Sequence, residues 1–408
     1  MSEVLFIAHR VPFPPDRGDK IRSHHLLKAI ARLAPVHVAC MADDDGDMAQ
    51  EAELAALAAS HCLVRRSKPL PLAGIQALAT GRPVSLPAFS SRNLHGFIGK
   101  VLERRNLSAI FVFSGQMAQY VPARFDGTVV MDFVDVDSAK FEAYAQGAAL
   151  PQAALYRREA RLLAAFEEKA ARRASASLFV TPEEVALFRT RLAHPAGVNL
   201  RALANGIDTD LFDPAGMRAA PDMLFAGPQI VLTGQMDYLP NVEAVCLFAR
   251  EVMPAVRAVH PGAEFNIVGR APTDAVRALH GLNGTRVTGS VPDVRPWLAG
   301  ADLVVAPLLI ARGVQNKVLE AMAMARPVLL TTAAAIGIPA TDGRDFAIAD
   351  GAQALAVRAL ALLGDAAAAA AMGQAARTFV RAHCAWDSVL APLGQLLGLD
   401  DGTCRDAA

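Results

Sequence analysis

Short apolar runs alternate with helical stretches through the first 190 residues. The apolar runs predict buried strands at Val4–Ala8, Val36–Cys40, Ala109–Phe113, Val129–Phe133 and Ser177–Val180. The stretches between them predict helices over about 20–33, 47–59, 92–105 and 152–173. Continuously apolar strands that alternate with helices are typical of a parallel sheet covered on both faces.

The same alternation restarts after a loop-rich stretch over 194–228. Strands are predicted at Gln229–Thr233, Glu264–Val268, Arg286–Thr288, Asp302–Ala306, Val328–Leu330 and Phe346–Ile348. Helices are predicted over 241–259, 272–280, 293–299 and 315–325, and the last three, over 352–364, 367–383 and 386–398, can pack on either half. The pattern therefore predicts an α/β protein with two doubly wound, Rossmann-like halves.

A length of 408 residues fits this two-domain division. We predict an N-terminal domain over 1–190, a linker over 191–225, a C-terminal domain over 226–375, and a C-terminal helix and tail over 376–408. Ligands of doubly wound sheets bind at the carboxyl ends of the strands, so we expect the site in a cleft between the halves.

Composition excludes several other classes of protein. Hydrophobic residues make up 53% of the chain, which excludes a disordered protein. The 40 basic residues equal the 40 acidic ones, which argues against a nucleic-acid partner. The five cysteines form no C-x-x-C pair, as in a reduced cytosolic protein without structural zinc.

The N-terminal residues lack a signal-peptide pattern, and no run of about 18 apolar residues occurs. We therefore expect a cytoplasmic protein. Basic residues interleaved with leucines over 152–173, and further bases over 92–105, allow peripheral contact with the inner face of the plasma membrane. Glu159, Glu167 and Glu168 among these bases favour instead a solvated face with helical ion pairs.

The segment 306–323 carries the clearest candidate chemistry. A predicted strand ends at Ala306, a loop follows, and a helix begins near Gln315, where unpaired N–H groups suit a phosphate. Arg312 and Lys317 add positive charge, and Glu320 lies one turn deeper. Only seven lysines stand against 33 arginines, and Lys317 is the only one after Lys169, which favours a specific role for its ammonium.

This segment resembles the donor-binding motif of family 4 glycosyltransferases, which have the GT-B fold of two Rossmann-like domains facing across a cleft. Glu320 matches the second of the family's two glutamates, Arg312 stands at the first, and Gly313-Val314-Gln315 stands for the Gly-Phe-Gly loop. Further similar segments follow the family's order: Ala204–Phe212, Val231–Met236 with Pro240-Asn241, Ile267–Gly269 and Val287–Val291.

Two N-terminal segments, 13–22 and 130–140, are most similar to glycosyltransferases of exosortase (PEP-CTERM) and exopolysaccharide systems. In the first, Gly18, Lys20 and Arg22 could reach the donor phosphates, or could form a plain strand–helix turn. In the second, Asp135 and Asp137 form a D-x-D motif. Such a pair holds a divalent metal in GT-A enzymes, but in a GT-B enzyme we expect it to bind sugar hydroxyls or accept a proton. Caps and turn carboxylates are the structural alternative.

The resemblance implies transfer of a hexose from a UDP- or GDP-sugar to an acceptor hydroxyl, with retention and without a metal or other cofactor. The acceptor expected is a glycan or a lipid-linked saccharide. Asp135, Asp137, Arg312 and Lys317 are the candidate catalytic residues. The candidate donor-binding residues are Gly18, Lys20, Arg22, Gly234, Gln235, Asn241, Gly269, Val291, Gly313, Val314, Gln315, Asn316 and Glu320.

The sequence also departs from the family pattern. Many relatives hold the diphosphate with an Arg and a Lys where this chain has the neutral Gln235 and Asn241. Arg312 and Lys317 are the candidates to replace that charge. Two alternatives stay open: a nucleotide-sugar 2-epimerase of the same fold, and a non-catalytic nucleotide-sugar binder in a polysaccharide complex.

Overall fold

The computed structural model describes residues 2–223, 227–311 and 314–399. The chain divides into two compact units. The first unit contains the residues up to Asn205 together with those from Val389 onward, and the second contains Gly206–Ser388. The division after Asn205 lies inside the predicted linker stretch. The boundary placed after residue 375 lies within a helix, Ala366–His383, that packs entirely in the second unit.

The first unit is a seven-stranded parallel sheet in the order β3-β2-β1-β4-β5-β6-β7. Its strands are β1 (Glu3–Ala8), β2 (Val36–Ala42), β3 (Ser60–Arg65), β4 (Leu107–Phe113), β5 (Thr128–Val134), β6 (Ala176–Phe179) and β7 (Leu200–Ala202). The central strands are buried on both faces, as their unbroken apolar sequences require.

Nine α-helices of the first unit precede residue 205 in the described part of the chain. They are α1 (Gly18–Leu33), α2 (Asp45–Met48), α3 (Glu51–Leu57), α4 (Leu70–Thr80), α5 (Ser85–Ala88), α6 (Arg92–Arg104), α7 (Asp137–Gly147), α8 (Gln152–Arg173) and α9 (Pro182–Arg191). A 3-10 helix, Gly115–Tyr120, follows β4.

The second unit is a six-stranded parallel sheet in the order β10-β9-β8-β11-β12-β13. Its strands are β8 (Gln229–Thr233), β9 (Glu264–Val268), β10 (Thr285–Gly289), β11 (Leu303–Ala306), β12 (Val328–Leu330) and β13 (Ala347–Ile348). The two parallel, doubly wound sheets confirm the predicted fold class.

The helices of the second unit and the last helices of the chain complete the fold. They are α10 (Leu239–Leu247), α11 (Met253–Val259), α12 (Asp274–Arg277), α13 (Arg295–Ala299), α14 (Asn316–Ala323), α15 (Thr332–Ala335), α16 (Ala352–Gly364), α17 (Ala366–His383), α18 (Trp386–Val389) and α19 (Leu393–Leu397). A π-helical turn, Phe248–Val252, joins α10 to α11.

The chain returns to the first unit after α18, which is one of the two arrangements that the sequence left open for the C-terminal helices. Helix α19 packs on α1, β4 and β5. Just before the return, Ile207 N donates to Cys384 O over 2.8 Å. A Cβ on Gly206 would lie 2.7 Å from the Trp386 ring, so only glycine fits there. The two points where the chain passes between units are therefore adjacent.

No single helix among the described residues has the length and apolarity to cross a membrane. Helices α16 and α17 reach that composition only when taken as a pair, and the pair is bent by 102°.

A buried ion pair joins α1 to the end of β5. Arg22 is 1% exposed and Asp132 is fully buried. Arg22 Nε donates to Asp132 Oδ2 over 2.9 Å, and its Nη1 reaches Ala204 O and Asn205 Oδ1 at 3.1 and 3.0 Å. Asp132 Oδ1 accepts from the N–H of Val134, which has a positive φ of 70° that is rare for a β-branched residue. The pair thus supports a strained turn directly before Asp135.

Asp132→Asn should lower the free energy of unfolding of the first unit by about 3–5 kcal/mol, because it leaves the Arg22 charge buried and uncompensated. Urea unfolding measures the loss. Arg277→Gln is the control, since it removes an exposed ion pair with Asp274 and should cost less than about 1 kcal/mol. Equal effects of the two substitutions would contradict the role assigned to the buried pair.

Candidate active site

Strand order marks one edge of each sheet as the place for a ligand. In the second unit β8 lies between β9 and β11. The chain adds β9 and β10 on one side of β8, and then adds β11, β12 and β13 on the other side. In the first unit β1 and β4 have the same relation. Ligands of doubly wound sheets bind where the order reverses, beyond the carboxyl ends of these strands.

Two glycines bring the backbone close together at this edge of the second unit. Gly234 follows β8 and donates its N–H to Val268 O over 3.0 Å. Gly269 follows β9, and a Cβ there would lie 1.6 Å from Gly234 O. A Cβ on Gly234 would lie 2.9 Å from Asn241 Nδ2 and 3.2 Å from Lys317 Nζ. The absence of side chains at both positions therefore lets the backbone reach the Lys317 ammonium.

Lys317 is fixed by the segments that the sequence linked to the donor. It lies in the first turn of α14, and its Nζ donates to Asn241 Oδ1 on α10. Asn241 Nδ2 donates to Gln235 O over 2.8 Å, and Gln235 Oε1 accepts from Arg270 Nη2 over 3.0 Å. The structure thus brings Gly234, Gln235, Asn241 and Lys317 together.

Lys317 and Glu320 are only partly exposed on the first turns of α14. Burial lowers the pKa of Lys317 to about 8, although the Glu320 charge opposes this shift. Burial likewise raises the pKa of Glu320 to about 7, against the effect of Lys317. Both groups titrate close to neutral pH, which is a property of functional sites.

The other predicted donor residues lie around this centre. Val291 follows β10, whose Gly289 O accepts from Gly269 N over 3.1 Å. Val314 and Gln315 lead into α14, where Gln315 O accepts from Val318 N. Asn316 is the first, exposed residue of the helix. The predicted residues Arg312 and Gly313 lie outside the described residues.

The predicted donor residues of the first unit have different surroundings. Lys20 is buried, and its Nζ donates to Asp47 Oδ1 and Phe13 O over 2.6 and 3.0 Å. Arg22 holds Asp132. Gly18 begins α1, with open space where a side chain would lie. Since both charges are neutralised inside the unit, these contacts do not support the predicted phosphate-binding role of Lys20 and Arg22, which stays a prediction.

Asp135 and Asp137 follow β5 and share one cation. Lys140 Nζ donates to Asp135 Oδ2 over 2.9 Å and to Asp137 Oδ1 over 3.2 Å. Burial alone would lower the pKa of Lys140, but the two carboxylates outweigh burial and raise that pKa to about 12. All three side chains are 36–45% exposed, so the carboxylates remain accessible to sugar hydroxyls. Within the described ranges, no three His, Cys, Asp or Glu side chains converge to hold a metal ion.

A further cluster, not among the predicted site residues, lies at the carboxyl ends of β1 and β2. His9 Nε2 lies 3.3 Å from Asp19 Oδ2, and Arg10 contacts both Asp19 and Asp43. Burial alone would raise the pKa of Asp19. The hydrogen bond from His9 and the charge of Arg10 outweigh burial and hold that pKa well below its usual range. The signal in the sequence was positional, because His9, Arg10 and Asp43 directly follow buried strands.

Comparison with known proteins agrees with this geometry. Residues 227–365 match the family model described as glycosyl transferases group 1. No curated protein sequence matches the chain.

Three similar solved structures cover almost the whole chain. They are sucrose-phosphate synthase from Thermosynechococcus elongatus (16% identity, TM-score 0.60, 97% of this chain and 98% of that one), Anabaena HepE with UDP-glucose (14%, 0.60, 98% and 100%) and WaaG, a glycosyltransferase of lipopolysaccharide biosynthesis (16%, 0.59, 97% and 100%). These similarities establish the GT-B fold. With the group 1 domain in its second unit, the protein is a glycosyltransferase.

Gly269→Ala should disrupt the edge of the second sheet, because its Cβ would collide with Gly234 O. We expect a clearly lower midpoint of thermal unfolding and loss of nucleotide binding. Gly99→Ala is the control, since that glycine lies within α6 with open space around it and alanine there should stabilise the helix. An unchanged midpoint and unchanged nucleotide affinity in Gly269→Ala would contradict the close packing.

Proposed function

We propose that the enzyme transfers a sugar from a nucleoside-diphosphate sugar to a hydroxyl of a lipid-linked saccharide in bacterial exopolysaccharide synthesis. The observation that carries the proposal is the Lys317 ammonium, held by Asn241 beside the Gly234 backbone at the strand switch. Both burial and the helix dipole disfavour a cation in the first turn of a helix. A bound diphosphate would compensate both effects.

The charges of the second unit fit the departure of a diphosphate. Negative charge grows on the leaving group in the transition state, so Lys317 and the N–H groups at the start of α14 would stabilise that state more than the bound donor. Arg312 is proposed to add a second cation, and the reaction then proceeds without a metal. Gly313 to Asn316 would contact the same diphosphate.

Glu320 is proposed to bind the ribose hydroxyls, with the base near Gly269 and Val291. Its carboxylate lies one turn beyond Lys317 on α14, and it accepts hydrogen bonds once ionised. HepE was solved with UDP and with UDP-glucose, which makes UDP the first nucleotide to test.

The neutral residues at 235 and 241 acquire a role in this arrangement. Asn241 orients Lys317, and Gln235 O in turn fixes the Asn241 amide. We infer that positive charge supplied from the β8 loop in many relatives is supplied here from α14. Retention of the anomeric configuration, with the leaving phosphate assisting proton removal, is part of the proposal.

The first unit is proposed to bind the acceptor. Asp135 and Asp137 lie accessible at the end of β5, and His9 with Asp19 lies at the end of β1. Carboxylates and an imidazole are suited to bind sugar hydroxyls and to accept a proton. We propose that the enzyme works in the cytoplasm, in peripheral contact with the inner face of the plasma membrane, where a lipid-linked acceptor would lie.

Thermal unfolding with UDP, GDP or ADP, each with Mg²⁺ or EDTA, tests the donor site. A ligand at 100 times its dissociation constant stabilises by about 2.7 kcal/mol. We expect a shift with one nucleotide, UDP first, that EDTA leaves unchanged. A shift only with Mg²⁺ would contradict the metal-free site, and product analysis with UDP-glucose would separate transfer from 2-epimerisation.

The pH dependence of UDP-glucose binding tests the Lys317–Glu320 pair. Lys317 loses its charge above about pH 8, and Glu320 loses its charge below about pH 7. Because the diphosphate diester does not titrate in this range, we expect the highest affinity between these values. Calorimetric titration across the pH range measures the profile.

Lys317→Gln should weaken binding at pH 7.5 at least about ten-fold and abolish the decline above pH 8. Lys28→Gln, which removes an exposed lysine of α1, is the matched control and should change neither quantity. A wild-type profile in Lys317→Gln would refute the role of this lysine.

A further inference from the structure

Helix α4 has an unusual surface for a water-exposed helix. None of its 11 residues is charged. Leu70, Leu72, Ile75 and Leu78 are 54–67% exposed, whereas Ala73 and Ala77 are the residues that it buries. Large aliphatic side chains are thus directed away from the unit. Four large aliphatic side chains exposed on one short helix indicate an interaction surface.

The chain around α4 is strongly basic. Over the 49 residues 54–102 the sequence contains no Asp or Glu and six bases, namely Arg65, Arg66, Lys68, Arg82, Arg92 and Lys100. The chain as a whole has zero net charge, so this stretch is a local concentration of positive charge. It complements an anionic partner.

A pocket of about 510 Å³ lies within this basic stretch, in the first unit. Arg65, Arg66, Lys68 and Arg92 line it together with Ser67, Ser90 and Ser91, and no Asp or Glu belongs to its lining. Arg66 is held from behind, since it pairs with Asp43 at 2.8 Å and stacks 4.8 Å above the Phe89 ring. Arg65 likewise pairs with Asp45, so Lys68 and Arg92 are the lining cations for which the described residues show no ion pair, and these two suit a phosphate.

Lys68 joins the pocket to the apolar helix. Its Nζ donates to Pro87 O over 2.8 Å and to Gln76 Oε1 of α4 over 3.1 Å. The cationic pocket and the exposed leucines are therefore neighbours on one surface. A ligand that fits both parts has a phosphate beside hydrocarbon, which is the chemistry of a phospholipid at the surface of a bilayer.

We propose that α4 and this pocket bind an anionic bilayer, with the aliphatic side chains among the acyl chains and a phospholipid phosphate in the pocket. The inference rests on the proposed function only in naming the surface that makes its membrane contact. The sequence offers two basic faces, over 152–173 and 92–105, as candidates for membrane contact. We assign that contact to α4 instead, and keep from those faces only Arg92, which lines the pocket.

Flotation with vesicles tests the proposal without any nucleotide. We expect binding to phosphatidylglycerol–phosphatidylcholine vesicles, weakened by salt, and much weaker binding to phosphatidylcholine alone. Ile75→Gln with Leu78→Gln should reduce binding at least about ten-fold, since both side chains are exposed and glutamine keeps the helix. Arg92→Gln should reduce it about five-fold.

Two matched controls distinguish binding through this surface from nonspecific hydrophobic and electrostatic binding to vesicles. Val357→Gln removes an aliphatic side chain of similar exposure from α16, and Arg157→Gln removes an exposed base from α8. Neither should change vesicle binding by more than about two-fold. Equal losses in Arg157→Gln and Arg92→Gln would overturn the pocket's role.

Three other results would overturn the proposal. They are absence of binding to anionic vesicles, full competition by millimolar inorganic phosphate, and a dimer in sedimentation equilibrium that the Ile75 and Leu78 substitutions dissociate. All variants should keep the wild-type unfolding midpoint and nucleotide-induced shift. If no nucleotide shifts the unfolding midpoint of the wild-type protein, the proposed donor site is refuted, and the vesicle-binding result is unaffected.

Discussion

The contact between the Gly234 and Gly269 backbones is the constraint from which the second unit's site follows. A Cβ on Gly269 would lie 1.6 Å from Gly234 O, and a Cβ on Gly234 would lie 2.9 Å from Asn241 Nδ2, so each position requires glycine. The same approach leaves room for the Lys317 ammonium and the Asn241 amide directly above the β8 loop. A larger residue at either position would move the loop and separate the groups that hold the lysine.

Placing charge at this edge costs stability in the absence of a ligand. Lys317 and Glu320 are partly desolvated, and the charge of each offsets only part of the effect of burial on the pKa of the other. The lysine also lies at the positive end of the α14 dipole. Sites that retain such unfavourable charges commonly do so for function. The first unit shows the contrasting case, since Lys20 and Arg22 are buried with carboxylate partners and serve the interior.

Apolar runs such as Val4–Ala8 were sufficient to predict the parallel sheets, because strands buried on both faces have unbroken hydrophobic sequences. Strand β3 escaped this reasoning, since it is an edge strand that is half-buried and contains Ser60, His61 and Cys62. Helix α4 was not predicted either, because a segment whose only polar side chains are Gln76 and Thr80 shows no clear helical periodicity.

The sequence allowed part of the site to be predicted, namely individual charged residues but not the residues they pair with. Lys317 was identified from its rarity and its place at the start of a helix. Its partner Asn241 lies 76 residues away, and Asp132 lies 110 residues from Arg22. Pairings across such distances depend on how the elements pack, so the sequence could name the charged residues but not their partners.

The return of the chain to the first unit has a consequence for the order of folding during synthesis. The second unit is one continuous segment, Gly206–Ser388, and can fold as soon as it has left the ribosome. The first unit begins first but contains α19, which packs on α1, β4 and β5. Its packing is completed only when the residues of α19 have been made, so the N-terminal half of the sequence reaches its finished structure after the second unit can have folded.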